Sequence, residues 1–160
     1  MKIWVSLCLL VLVLGLSSCQ RDDLCGENFQ VTPRLNIEFY DFTEPEELKS
    51  YSNLVLINDR IADTIAFDGG NSISIPLATG ADQTTFRLIK NVGTEEPQED
   101  TLKFTYSRRN NFVNRPCGFK QEYIDLQAQV LDNDNRWIEN TNVRKSVIRS
   151  DENIHLFIFH

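Results

Sequence analysis

The sequence predicts an all-β protein whose main domain is a single antiparallel β-sandwich, immunoglobulin-like or related. Three observations predict it. Several short segments alternate apolar and polar residues with a period of two, which is typical of half-buried strands. Turn-forming residues separate these segments about every 8–12 residues, as in known sandwiches. All ten phenylalanines lie beyond residue 18, so this part of the chain has enough apolar residues to form a core.

The first predicted strand covers residues 35–40, where Leu35, Ile37 and Phe39 alternate with residues of more polar character. Residues 43–46 (Thr-Glu-Pro-Glu) have the spacing of a capping box, so we expect one or two helical turns there. Residues 53–58 contain the apolar run of a buried strand, and residues 61–67 form a weaker strand.

The sequence Asp-Gly-Gly-Asn at residues 68–71 is a strong turn signal. Alternation resumes over residues 72–77, where Pro76 indicates an edge strand or the end of a strand. The remaining predicted strands cover residues 84–90, 102–106, 119–131, 143–148 and 154–159, and the third of these is a candidate for a bulge.

Two connections and one strand complete this prediction. A turn is expected over residues 110–116 and a loop over residues 132–136. Residues 154–159 (Ile-His-Leu-Phe-Ile-Phe) are apolar on both faces of a strand. Such a segment promotes aggregation when exposed, so we expect it to be paired inside a sheet.

The amino-terminal residues have the pattern of a bacterial lipoprotein signal. Lys2 precedes an apolar run over residues 3–16, and Ser17 and Ser18 lie directly before Cys19. The run is shorter than the ~20 apolar residues that a membrane-spanning helix needs. We therefore expect cleavage before Cys19 and lipidation of its sulfur, for example with palmitate. The alternatives are an ordinary cleaved secretory signal and an uncleaved anchor.

These observations divide the chain into a signal peptide (residues 1–18), a lipidated tether (19–32) and a β-sandwich domain (33–160). The chain has 16 basic and 23 acidic residues, and removing Lys2 with the signal changes the net charge from −7 to −8. This balance argues against general nucleic-acid binding, which requires a basic surface. It favours a surface that faces water.

Two cysteines remain once Cys8 is removed and Cys19 is lipidated. In an exported chain an even pair predicts a disulfide, here between Cys25 and Cys117. The alternative is a pair of free thiols. Because Cys25 is six residues from Cys19, this bond would hold one end of the domain near the lipid headgroups.

No catalytic residues are predicted. The two histidines, His155 and His160, lie in or beside an apolar strand, and we expect structural roles for them. The chain has neither a Gly-x-Ser-x-Gly nucleophile motif nor a His-Glu-x-x-His zinc motif. Residues 132–135 (Asp-Asn-Asp-Asn) resemble the start of a calcium loop, but Trp137 and Val143 occupy the places of its Gly and Glu. An ordinary loop is the preferred interpretation, and no metal or cofactor is predicted.

One basic segment stands out in this acidic chain. Residues 101–121 contain no acid, and their five cations are Lys103, Arg108, Arg109, Arg115 and Lys120. Cys117 lies among them, so the predicted disulfide would place the segment near the anchor. Anionic headgroups or an acidic partner are the predicted contacts. The alternative is an ordinary solvated hairpin.

Aromatic residues provide a further hypothesis, because sugars stack on exposed aromatic rings. The candidates are Trp137, Tyr40, Tyr51, Tyr106 and Tyr123. Packing in or beside the core is the competing interpretation for most of them.

Several segments resemble an uncharacterised family of small outer-membrane lipoproteins of Bacteroidota, of the flavobacterial type. They are residues 22–25 (Asp-Asp-Leu-Cys), 32–41, 101–108, 115–120 (Arg-Pro-Cys-Gly-Phe-Lys) and 157–160 (Phe-Ile-Phe-His). The resemblance implies lipidation, one compact β domain and a paired Cys25 and Cys117. It implies no activity. Gln20, Asp22 and Asp23 also resemble the export signal of surface lipoproteins, although Arg21 departs from it.

From these observations we expect a non-enzymatic outer-membrane lipoprotein that acts as an accessory or structural subunit beside a membrane protein such as a β-barrel. Whether it faces the periplasm or the cell surface is undecided. The alternatives are a surface module that binds glycan or calcium and, third, an envelope hydrolase.

Overall fold

The computed structural model describes residues 25, 32–58, 60, 63–131 and 136–160. Within these residues the chain forms nine strands in two sheets, and the predicted β-sandwich is confirmed. Two compact units are distinguished. The small one contains Cys25 and residues 112–119, and the large one contains the described residues of 30–111 and 120–160.

The first sheet has four strands in the order β4-β1-β9-β8. They are β1 (Leu35–Tyr40), β4 (Ser72–Ile75), β8 (Asn140–Val143) and β9 (Leu156–Phe159). Strand β1 pairs antiparallel with β4 and parallel with β9, where Ile37 faces Leu156. The parallel β1–β9 pair differs from the prediction, which expected an antiparallel sandwich. The position of β4 at an edge agrees with the proline that follows it.

The second sheet has five strands in the order β3-β2-β5-β6-β7. They are β2 (Tyr51–Asn58), β3 (Asp63–Gly70), β5 (Gln83–Lys90), β6 (Gln98–Asn114) and β7 (Gly118–Leu131). Strand β2 pairs antiparallel with β3 and β5, and β5 pairs antiparallel with β6. The alternating apolar residues of both sheets face inward and form one core, which includes Phe39, Leu56, Phe86, Phe104 and Ile158.

The last strand, β9, is paired on both sides, with β1 and β8. Its residues Leu156 and Ile158 are fully buried, whereas Phe157 and Phe159 are half-buried on the outer face. The expectation that residues 154–159 are paired inside a sheet is confirmed.

The helical turns expected at residues 43–46 are absent, because bends and turns occupy this segment. Asp41 lies just before it and accepts hydrogen bonds from the backbone N–H and the hydroxyl of Thr43 and from the N–H of Glu44. Thr43 and then Lys49 stabilise the carboxylate, which lowers the pKa of Asp41. The Asp41 side chain thus accepts hydrogen bonds from two backbone N–H groups and stabilises a turn in place of a helix.

The strand predicted over residues 143–148 is wrong in its bounds, since β8 covers Asn140–Val143 and residues 144–147 lie outside any strand. The N–H groups of Arg144 and Lys145 both donate to the His155 carbonyl, so the ladder does not continue beyond Val143.

Further predicted boundaries, in β6 and β7, also differ from the structure. Strand β6 continues to Asn114, so the turn expected over residues 110–116 is confined to residues 115–117. Strand β7 changes phase in its middle, since Glu122 and Tyr123 are both buried and the next buried residue is Leu126. Asp125 has a positive φ of 57° at this point, which is the local irregularity that the predicted bulge required.

Candidate functional site

The disulfide predicted from the cysteine count is present between Cys25 and Cys117. Their sulfurs are 2.00 Å apart, their Cα atoms are 5.0 Å apart, and the two residues are separated by 92 positions. The bond connects Cys25, in the middle of the predicted tether, to the turn between β6 and β7. It is the feature on which the candidate site depends.

Asn114 and Gly118 stabilise the turn at Cys117. The side-chain oxygen of Asn114 accepts a hydrogen bond of 2.8 Å from the Cys117 N–H. Gly118 follows with φ of 70°, in the left-handed region that glycine adopts without steric cost. No atom lies within 4 Å of the position a Cβ would take at Gly118, so its backbone conformation, and not lack of space, favours glycine.

Two phenylalanines are exposed beside this turn. Phe112 is 55% and Phe119 is 68% exposed, and their ring centroids are 5.2 Å apart in an edge-to-face arrangement. Arg115 and Pro116 in the turn are also exposed. We call residues 112–119 the hairpin tip. It carries one basic residue and no acidic one.

The five predicted basic residues do not form a single patch. Lys103 lies half-buried in β6 opposite Thr85. Arg108 pairs with Asp82 at 2.7 Å and donates a second hydrogen bond to the Thr79 carbonyl. Arg115 belongs to the hairpin tip. The remaining two, Arg109 and Lys120, meet at a different acid.

That acid is Glu122, which is 3% exposed. Arg109 forms an ion pair with its carboxylate, Asn111 donates a hydrogen bond of 3.0 Å, and the Lys120 and Arg149 side chains lie at 3.9 and 3.6 Å. Burial acts to raise the pKa of Glu122, but the bonds from Arg109 and Asn111 and the charges of Arg109 and Lys120 outweigh it. The net effect is a lowered pKa, so Glu122 is ionised and offsets part of this positive charge.

The sequence pattern missed both Glu122 and Arg149 as members of this cluster. Glu122 lies one residue beyond the acid-free segment, and Arg149 is far from it along the chain. Lys120 is itself buried and donates to the Arg149 carbonyl at 3.1 Å. The alternation of β7 gave no signal for this contact, because it depends on a distant segment.

The structure separates the aromatic candidates into buried and accessible rings. Tyr51, Tyr106, Tyr123 and Trp137 are all at most 5% exposed and belong to the core. For example, the Tyr123 hydroxyl donates to the Leu77 carbonyl at 3.1 Å, and burial raises the pKa of Tyr123 to about 12. Core packing is therefore the correct interpretation for these four residues.

Tyr40 differs, because it is half-buried on the outer face of the four-stranded sheet. Its ring lies 4.5 Å from that of Phe157 and 5.9 Å from that of Phe159. The Arg144 guanidinium lies 5.1 Å from the Phe157 ring centroid, and the Tyr40 hydroxyl donates to Glu38 at 3.0 Å. We call Tyr40, Phe157 and Phe159 the aromatic cluster of the outer face.

Both histidines are held in packed surroundings. His155 accepts a hydrogen bond of 3.1 Å at Nδ1 from the Asn36 N–H, and burial lowers its pKa. The His160 ring contacts Phe39 and Trp137 edge-on, at centroid distances of 5.8 and 5.4 Å. Burial, followed by the charges of Lys90 and Lys49, lowers the pKa of His160 to about 4.

A pocket of about 520 Å³ lies at one edge of the sandwich, between the end of β2 and the segment that precedes β5. Its polar side chains include Asn58, Arg60, Asp63 and Thr84. In the part of the chain that the structure describes, no three His, Cys, Asp or Glu side chains are placed to hold a metal ion.

Residues 51–160 match a family of unknown function, DUF6452. The match covers more than half of the chain. The chain belongs to the DUF6452 family. No curated protein matches it significantly. No solved structure matches it significantly either.

The matched region of this DUF6452 protein begins at β2 and includes Cys117, Glu122, Arg149 and the two phenylalanines of β9. Cys25, Tyr40 and the predicted lipidation site Cys19 precede it. The family description assigns no activity, so the function has to be argued from the chain itself.

Several predictions concern residues outside the described ranges. They are the signal peptide (1–18), Cys19, most of the tether and the candidate calcium loop (132–135). No helix capable of crossing a membrane occurs among residues 25, 32–58, 60, 63–131 and 136–160.

Proposed function

We propose that this DUF6452 protein is a lipid-anchored domain of the outer membrane that has no enzymatic activity. It serves as an accessory or structural subunit beside a membrane protein such as a β-barrel. The observation that carries the proposal is the disulfide between Cys25 and Cys117. Through this bond, the segment that follows the predicted lipidation site is joined to the folded chain by a second covalent link, in addition to the peptide backbone.

The short separation of Cys19 and Cys25 limits the distance between the predicted lipid and the disulfide. Cys25 follows the predicted lipidation site, Cys19, by six residues. Six fully extended residues span at most about 20 Å. Because Cys117 is bonded to Cys25, the turn between β6 and β7 stays within roughly that distance of the lipidated residue. The anchor thus restricts which end of the hairpin faces the leaflet.

The energy of such an anchor suits permanent attachment. Each buried CH₂ of an acyl chain contributes about 0.8 kcal/mol, and two or more chains give stable binding. The acidic balance of the chain disfavours an alternative role on nucleic acid. A partner in the same membrane is favoured because anchoring confines both molecules to one surface.

The proposal predicts that Cys19→Ala moves the protein from the membrane fraction to the aqueous fraction, because the variant has no sulfur to acylate. Fractionation of cells followed by mass spectrometry of the mature protein measures this. Cys25→Ala is the matched control, since it removes a cysteine but leaves Cys19 available. Unmodified wild-type Cys19 in a protein that fractionates with the aqueous phase would overturn the proposal.

Extraction in a mild detergent tests the accessory role. A membrane protein that co-purifies in fixed stoichiometry, and that is lost from Cys19→Ala preparations, is the expected result. A lone monomer in the same extracts would contradict the subunit role while leaving the anchor intact.

The aromatic cluster of the outer face favours a second candidate function, glycan binding. Tyr40, Phe157 and Phe159 present apolar rings next to Glu38 and Arg144, which supply polar groups. Sugar-binding sites combine such rings with a few placed polar groups. Titration of envelope glycans against the wild type and Tyr40→Ala tests this. Saturable binding that the substitution weakens supports it, and no binding by the wild type removes it.

A further inference from the structure

We infer that the hairpin tip inserts Phe112 and Phe119 into the headgroup–acyl boundary of the leaflet that holds the Cys19 lipid. The inference rests on the proposed anchor and adds a second, non-covalent contact to it. It identifies the lipid leaflet itself as the occupant of this exposed apolar surface.

The two rings of the hairpin tip are exposed to the surroundings. Phe112 and Phe119 are the two most exposed large apolar residues in the described part of the chain. Their rings contact each other edge-to-face, so together they form one exposed apolar surface. Exposed apolar surface of this kind marks sites of interaction with membranes or proteins.

The disulfide restrains the hairpin tip covalently. The disulfide attaches the turn of the tip to Cys25, and only five residues separate Cys25 from Cys19. Of the exposed phenylalanines in the described part of the chain, only the pair at the tip belongs to the unit that contains this bond. Phe112 and Phe119 are therefore the exposed rings that share a unit with the bond to the predicted tether.

The charge of the hairpin tip also suits a lipid surface. The tip carries Arg115 and no acid, in a chain of net charge −7. A cation beside exposed aromatic rings suits the boundary between anionic headgroups and acyl chains. An acidic residue at the tip would be repelled from the same surface.

Depth-dependent quenching tests the inference on the full, lipidated protein. Phe119→Trp is reconstituted in phosphatidylcholine–phosphatidylglycerol vesicles whose acyl chains are brominated, because bromine quenches only indoles in contact with the acyl region. The native Trp137 is 3% exposed and provides a constant background. Phe42→Trp is the matched control, since Phe42 is 50% exposed and lies in the other unit.

The expected result is that the Phe119→Trp indole loses most of its fluorescence in brominated vesicles, whereas the Phe42→Trp indole does not. Adding Arg115→Glu to Phe119→Trp reduces the loss, and more so when anionic lipid is present. Equal fluorescence of both indoles overturns the inference. The inference is also overturned if bromine does not quench the Phe119→Trp indole and a co-purified protein shields that indole from aqueous iodide. That result would assign the tip to a protein partner.

Mass spectrometry of the same preparation separates the two proposals. If Cys19 is acylated but the Phe119→Trp indole is not quenched, the inference is overturned and the proposal of a lipid-anchored domain is retained. Unmodified Cys19 overturns the anchored domain, and the inference that rests on it is then overturned as well. Acylated Cys19 with a quenched tip supports both.

Discussion

Single buried polar residues hold distant segments of this protein together. Asp100 in β6 is fully buried, and its Oδ2 accepts hydrogen bonds of 2.8 and 2.6 Å from the N–H groups of Trp137 and Ile138. These donors lie on the segment that leads into β8. Trp137 in turn donates to the Leu88 carbonyl at 3.2 Å. One carboxylate therefore fixes residues 137 and 138, which lie outside the strands.

We predict that Asp100→Ala lowers the free energy of unfolding by about 2–4 kcal/mol, because two buried N–H groups lose their acceptor. Asp100→Asn keeps one acceptor oxygen and should cost less. Urea denaturation followed by Trp137 fluorescence measures both. Glu96→Ala, at an exposed loop position, serves as the control and should change stability by less than about 0.5 kcal/mol. An Asp100→Ala variant as stable as this control would contradict the assigned role.

His160 gives the fold a pH dependence. The unfolded chain takes up a proton near the ordinary pKa of 6.5, whereas the folded chain does so only near 4. Stability is therefore complete above about pH 6.5 and decreases as the pH falls toward 4. After allowance for solvent screening, the loss is on the order of 2 kcal/mol.

The measurement is the melting temperature between pH 7 and pH 4 for the wild type and His160→Phe. The variant removes the titrating group and should show a flatter profile in this window. His155, whose pKa is also lowered, contributes to the slope that remains, as do the carboxyl groups whose pKa is lowered, Asp41 and Glu122. Lys90 and Lys49 strengthen the effect and Asp41 opposes it. Identical profiles would exclude His160 as the cause.

At the level of elements, β9 is central to the four-stranded sheet. It lies between β1 and β8 and contributes two fully buried side chains, Leu156 and Ile158. Its parallel pairing with β1 joins two segments that are about 120 positions apart. Removing β9 would leave β1 with one partner and β8 with none in this sheet.

We predict that deletion of residues 155–160 abolishes soluble folding. Loss of one buried Leu or Ile costs about 2–5 kcal/mol, and a whole domain is stable by only about 5–15 kcal/mol. Soluble yield and circular dichroism measure the outcome. Phe157→Ser is the control, because this half-buried residue lies on the outer face and should leave a folded domain. A truncated chain that unfolds cooperatively would contradict the prediction.

At the level of the whole molecule, the disulfide closes a loop that contains most of the described chain. Its two cysteines are 92 positions apart, so the bond restricts the unfolded chain strongly. The same bond carries the proposed orientation toward the membrane. Stability and the proposed orientation thus depend on one covalent link.

We predict that Cys117→Ser lowers the free energy of unfolding by up to about 4 kcal/mol, chiefly because the unfolded chain gains entropy. Denaturation of the wild type with and without reductant gives the same comparison without a substitution. The variant should be insensitive to reductant. Equal stability of wild type and variant under oxidising conditions would show that the bond does not contribute.

The sequence by itself determined the strands and the cysteine pair. Alternation at residues 35–40 located β1 because the burial of one strand face is a local pattern with a period of two. The apolar residues of 154–159 required a paired strand for the same local reason. The prediction of cleavage before Cys19 and of its lipidation left two cysteines to pair, and the structure contains the bond between them.

The tertiary structure decided which side chains meet and which stay exposed. The parallel contact of β1 with β9, and the contact of Arg149 with Glu122, join residues that no local pattern connects. Tyr51 lies outside the strand predicted over residues 53–58, yet it is buried in the core, whereas Tyr40 lies on the outer face. Exposure depends on the neighbours that folding brings from distant parts of the chain. For that reason the alternation predicted the strands, while the hairpin tip and the aromatic cluster emerged only from their packing.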